Sequence, residues 1–111
     1  MTTPLQKYLT DALYAANDIL KFLDGVSQNE FLNNQILCRA IEREFEILGE
    51  TLNLASKEKD DLELAIPDLW KIIGLRNRII HGYDTVRIEI LWDIYQEKIP
   101  LLSKLLTELL Q

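Results

Sequence analysis

Along most of the chain the apolar positions recur every three or four residues, the spacing of one face of a helix. Leu5, Leu9, Ala12, Ala16, Ile19 and Leu23 share such a face. Thr3 can cap it, Pro4 suits the first helical position, and Gln6 completes a Thr-x-x-Gln capping box. Gly25 is the expected stop. Ser27 with Glu30 repeats the capping signal and opens a second segment that runs to about Lys57, with an expected break near Asn33 and Asn34. Its apolar side carries Leu37, Ala40, Ile41, Ile47, Leu48, Leu52 and Ala55. The polar link KEKDDLE leads to Pro67, where a third helix is predicted to begin, running to His81 with Gly82 as its stop. A fourth runs from about Thr85 to Leu110, lined by Ile88, Leu91, Trp92, Tyr95, Ile99, Leu102, Leu106 and Leu109, and Pro100 should kink it. No segment alternates as a strand would. The pattern predicts an all-α protein, a compact up-and-down bundle of four to five helices forming one domain over 1–111.

Composition changes that picture little. The chain has 111 residues, 48% of them hydrophobic and 27% charged, enough for a real core. Charge matters more. The net charge of -6 argues against broad, charge-driven binding of nucleic acid, which needs a basic face. It leaves room for a small basic pocket, and Lys71, Arg76, Arg78 and Arg87 cluster around the stretch RNRIIHGY. No apolar run reaches the roughly 18 residues of a membrane span, and the N-terminal stretch does not read as a signal peptide. With a single cysteine, Cys38, the expectation is a cytoplasmic protein without an internal disulfide.

RNRIIHGY, Arg76 to Tyr83, is the stretch that resists a bland reading. At about 100° per residue, Leu69, Ile72, Ile73 and Ile80 fall on one side of the third helix, with Arg76 in their midst. Asn77 and His81, four apart, share the shoulder of that face, and Arg78 points to solvent. An unpaired buried charge costs several kcal/mol, so Arg76 needs a partner or an interface. Two readings stand. In one, Glu46 or Glu50 of the second segment holds Arg76 in a structural ion pair, and His81 caps the helix end. In the other, Arg76 binds phosphate in a bidentate fashion and His81 moves protons, a set suited to RNA cleavage by attack of the ribose 2'-hydroxyl. The chain has one histidine, so chemistry with two imidazoles requires a second copy, and a twofold dimer would bring two Arg76 and two His81 to one cleft.

Other candidates are weaker. Cys38 sits among Ile36, Leu37 and Ala40 and reads as a structural thiol. Asp60 and Asp61 read as a solvated link, Trp92 and Tyr95 as core or dimer contacts, and Arg39 and Arg43 as surface or ion-pair residues. No cluster has metal-ligand spacing and no glycine-rich phosphate loop is present, so no metal and no cofactor is expected.

Arg76, His81 and Tyr83 together spell R-x4-H-x-Y. With RAIEREFEILGE, IPDLWKIIGLRNRIIHGYDTV and IEILWDIYQEKIPLL around it, the chain resembles the HEPN superfamily, and within it the HepT-like toxins of bacteria and archaea. The likeness spans nearly the whole sequence. It departs where Asp68 and Leu69 stand between Pro67 and Trp70, since the family usually places tryptophan soon after its Ile-Pro. The resemblance implies a dimeric helical domain with a composite cleft and metal-independent endoribonuclease activity. It matches Arg76 and His81 to the catalytic pair and Asn77 to the polar residue beside them. It further implies a toxin–antitoxin pair in which an MntA-like nucleotidyltransferase transfers AMP to Tyr83. Its other implication is a non-catalytic module that presents itself to such a nucleotidyltransferase.

Overall fold

Thr3 is extended, and its hydroxyl accepts from the Gln6 N–H at 3.1 Å while the Gln6 side chain accepts from the Thr3 N–H at 3.0 Å. That reciprocal box, with Pro4 at the first turn, starts α1, Pro4–Phe22. Leu23 caps its end, and Gly25 supplies the turn out of the helix at φ +74, a conformation that glycine adopts without steric cost. The second box is as expected: Ser27 and Glu30 exchange bonds of 3.1 Å and open α2, Gln28–Leu32. The break falls at Asn33 and Asn34. Asn34 caps the long helix α3, Gln35–Glu58, its Oδ1 accepting from the Leu37 N–H at 3.0 Å.

The computed structural model describes residues 2–81 and 87–111, and for His81 the backbone alone. Among these residues the remaining helices are α4 (Leu62–Ala65), α5 (Leu69–His81), α6 (Ile88–Glu97) and α7 (Ile99–Leu109), and no strand occurs. The all-α expectation is met, with the chain divided more finely than the pattern implied. The polar link holds the short α4. The third helix starts at Leu69, two residues after Pro67, because Ile66 to Asp68 form the turn that enters it. The kink expected at Pro100 is a full division: Lys98 ends α6 and begins α7, with Pro100 in the first turn of α7, where a missing N–H costs nothing.

Helix α3 lies between α1 and α5, and α7 packs on α1. Ser103 of α7 donates to Asn17 of α1 at 2.6 Å. The core takes Leu9, Ala12, Ala16 and Ile19 from α1, Ile41, Phe45, Leu48 and Leu52 from α3, Leu69, Ile72 and Leu75 from α5, and Leu91, Ile99 and Leu106 from the last two helices. Small residues on α1 let α3 approach closely. Trp92 stacks on Phe31 with ring centroids 5.4 Å apart and meets Tyr95 edge-on at 5.2 Å, so the aromatic residues of α6 serve the core.

Candidate functional site

Arg76 stands on α5 where that helix crosses α3. The helix axes come close here because α3 carries glycine at the crossing. A Cβ placed on Gly49 would lie 2.2 Å from Arg76 Cβ, 2.8 Å from Arg76 Cγ and 3.2 Å from the Ile72 carbonyl oxygen. No side chain larger than hydrogen can occupy that position unless the helices part. The next residue, Glu50, turns its carboxylate to the guanidinium: Glu50 Oε2 forms an ion pair with Arg76 Nη2. Of the two partners expected for Arg76, Glu50 is therefore the one in place. Glu46 is taken by Arg43 at 3.1 Å.

On its other side, Arg76 Nη1 donates to Asn77 Oδ1 at 2.7 Å. Arg76 Nε and Glu50 Oε2 are buried atoms with no hydrogen-bond partner among the described residues. The Arg76 side chain keeps 22% of its surface and that of Glu50 40%, so the pair sits at the edge of the core. A guanidinium has five N–H donors, and this arrangement leaves several for another oxyanion.

Asn77 and Arg78 are exposed. His81 is the last residue of α5, five positions after Arg76, on the backbone that continues the same helix. The His81 side chain and Tyr83 lie outside the described residues. Ile80, expected on the apolar side, is 47% exposed, and Trp70 is 55% exposed, its indole N–H donating to Glu63 Oε2. At the departure from the family pattern, Leu69 is fully buried and Trp70 stays outside.

The other sequence candidates are accounted for simply. The Cys38 thiol, half-buried, donates to the Phe31 carbonyl at 3.2 Å, and burial pushes its pKa up, away from the reactive thiolate. Arg39 pairs with Glu42 at 3.7 Å. Asp60 and Asp61 are exposed, and Lys59, at 3.0 Å, holds the Asp61 carboxyl below its usual range. No group of three metal-ligating side chains occurs among the described residues. No described helix is long and apolar enough to cross a membrane.

Two features carry more than the sequence reading gave them. One is Gly49. It belongs to the RAIEREFEILGE stretch that carries the resemblance, and it is a glycine inside an amphipathic helix, where it costs about 1 kcal/mol relative to alanine and so calls for a packing reason. The other is Glu44 of α3, whose pKa is pushed up to about 7 by desolvation, then by the charge of Asp18 on α1 and a hydrogen bond with it. Glu44 and Asp18 border a shallow groove with Asp11, Tyr14, Ile47 and Thr51.

Comparison with known proteins places the chain in a family. The family model described as Ribonuclease HepT-like matches residues 12–109. The chain is 34% identical over 101 residues to a Methanocaldococcus jannaschii protein named "Putative RNase MJ1380", covering 90% of this chain and 91% of that one. It is 34% identical over 112 residues to "Putative RNase TTE0752" of Caldanaerobacter subterraneus subsp. tengcongensis, covering 100% and 97% of the two chains. It is also 30% identical over 97 residues to "Probable ribonuclease HepT" of Thermococcus cleftensis, covering 86% of each. No solved structure matches the chain.

Proposed function

The chain belongs to the HepT-like ribonuclease family, and from that premise we propose that it is a metal-independent endoribonuclease whose working site combines Arg76 and His81 from two copies of the chain. The observation that carries this reading is the setting of Arg76. A cation held between Glu50 and Asn77, still partly open to solvent, stands on the helix that ends at His81.

The chemistry follows from those groups. One imidazole takes the proton of the ribose 2'-hydroxyl, whose oxygen attacks the adjacent phosphorus. The bond from phosphorus to the 5'-oxygen breaks, and an imidazolium gives that oxygen a proton. The products are a 2',3'-cyclic phosphate and a 5'-hydroxyl. Arg76 steadies the charge that builds on the phosphoryl oxygens. One histidine per chain makes the second imidazole the partner's, and the exposed Ile80 on α5 supports a dimer contact beside the site. In this reading the protein is the toxin of a toxin–antitoxin pair. An MntA-like nucleotidyltransferase silences it by transferring AMP to Tyr83, adding about one negative charge per phosphodiester next to the cations that bind RNA.

Arg76→Ala and His81→Ala are each expected to abolish RNA cleavage and growth inhibition while the domain stays folded. Wild-type cleavage by either variant would remove the assigned role. The Glu50 partner also favours a second reading, in which the Arg76 pair only fastens α5 to α3. That reading requires Arg76→Ala to lower the melting temperature sharply and to lose activity only with the fold. Sedimentation decides the dimer. Ile80→Asp should weaken association and cleavage together, whereas a monomer that cuts RNA at full rate would refute the shared site.

A further inference from the structure

We propose that Gly49 and Glu50 form a positioning element for Arg76: Gly49 lets the arginine stem lie against the backbone of α3, and Glu50 fixes where its guanidinium points. The proposal rests on the ribonuclease reading for what the positioned cation does, but not for the positioning itself.

Both residues are poor choices for stability alone. Glycine inside a helix is destabilising relative to alanine. An ion pair with one partner 40% exposed contributes little in water. Apolar side chains of similar size would join α3 to α5 at least as well. Yet the two stand side by side at the point where α3 meets Arg76. Gly49 brings the stem in until its Cβ and Cγ fill the space a side chain would take. That proximity places the guanidinium within reach of the carboxylate one residue on. Asn77 takes an Nη1 hydrogen at 2.7 Å. Contacts at both terminal nitrogens stop the planar group from rotating and leave its remaining donors in a set direction. A long flexible side chain thereby becomes a preorganised one, which is how a cation lowers a barrier rather than merely attracting substrate.

Glu50 also offsets the charge it positions. Its carboxylate weakens the pull of Arg76 on RNA phosphate in the ground state. Removing it should make binding no worse while making the cation's aim worse. Glu50 therefore acts on turnover, not on affinity, and this separates a positioning role from a structural one.

The test uses the full-length chain and a short unstructured oligoribonucleotide carrying a fluorophore and a quencher. For Glu50→Ala, kcat is expected to fall by something like a hundredfold, the scale of a misplaced catalytic group, with KM unchanged or lower and the melting curve nearly that of wild type. Glu50→Gln, which keeps an oxygen acceptor, should recover part of the kcat. A second measurement is independent of cleavage. The Arg76 Nε–H signal, followed by NMR, should exchange slowly in the wild type, because Nε is a buried atom, and faster in Glu50→Ala. Wild-type kcat in Glu50→Ala, or a loss that follows only the unfolded fraction, would overturn the proposal. So would an Nε–H exchange rate that the substitution leaves unchanged. If the wild-type chain cleaves no RNA, the ribonuclease reading fails, and the exchange measurement alone decides whether Glu50 positions Arg76.

Discussion

Gly49 is the residue whose side chain, or lack of one, decides most per atom. Its replacement by alanine adds one methyl group, aimed at Arg76 Cβ and Cγ and at the Ile72 carbonyl oxygen. Neither the backbone oxygen nor the first atoms of the arginine stem can swing aside as the end of a flexible side chain would. Alanine's better helix propensity offsets about 1 kcal/mol of this, but separating two packed helices costs more, and overpacking of this kind is typically worth about 1–3 kcal/mol. Gly49→Ala is therefore expected to be destabilising, visible as a lower urea midpoint, against the usual gain for an exposed helical glycine. A gain in stability would mean that α3 and α5 separate more easily than their contact suggests. The sequence carries half of this site. The place of Arg76 on an apolar face requires a partner, and Glu46 and Glu50 are the acidic residues in range. Choosing between them depends on the rotation of α3, which only the packed structure supplies. Glu46 and Glu50 are four residues apart on one face, yet the first meets Arg43 and the second meets Arg76.

At the scale of elements, capping chemistry is legible in the sequence and packing is not. Thr3 with Gln6 and Ser27 with Glu30 announce their helices because the bonds that define a capping box are local. The break before α3 is legible from two adjacent asparagines, although its agent is specifically Asn34. Asn34→Ala should remove the bond to the Leu37 N–H and destabilise the protein by roughly 1 kcal/mol, the usual worth of such a cap. Equilibrium denaturation would detect this. Asn34→Ser or Asn34→Asp should recover most of the loss, since both can accept the same bond. Phe45 is fully buried, and it stands four residues after Ile41 and three before Leu48, so the apolar spacing of α3 includes it even though EREFEI surrounds it with charge. The division of α6 from α7 shows in the sequence only as a kink. A proline inside an apolar periodicity signals a bend, and whether the chain restarts as a new helix depends on Lys98, which both ends α6 and begins α7.

Across the whole molecule, the pairing of Asp18 with Glu44 joins α1 to α3 through a contact that nothing in either segment foretells. The two residues lie on separate helices, and the groove between them also receives Asp11 and Tyr14 from α1, with Arg43 beside Glu44 on α3. Arg43 pulls the Glu44 pKa down, but desolvation and the charge of Asp18 outweigh it, and the carboxyl titrates near 7 rather than at its ordinary 4.5. The folded protein therefore holds this proton more tightly than the unfolded chain does. The stabilisation is fully present below about pH 4.5 and is lost as pH rises through about 7. The net charge of -6 works in the same direction, since each further ionisation adds to an already negative molecule. Opposing both are Glu30 and Asp61, whose pKa values are lowered by the Ser27 cap and by Lys59, and which favour the folded state only while ionised. Stability should therefore peak near about pH 5, above the range where those carboxylates take up protons and below the range where Glu44 gives its proton up. Urea denaturation at about pH 5, 6, 7 and 8 should show the midpoint falling across the series. Glu44→Gln should flatten most of that fall, because an amide keeps the hydrogen bond to Asp18 without a proton to lose. A midpoint that rises with pH, or a Glu44→Gln series as steep as that of the wild type, would show that the Asp18–Glu44 pair does not govern the neutral-pH stability of the bundle.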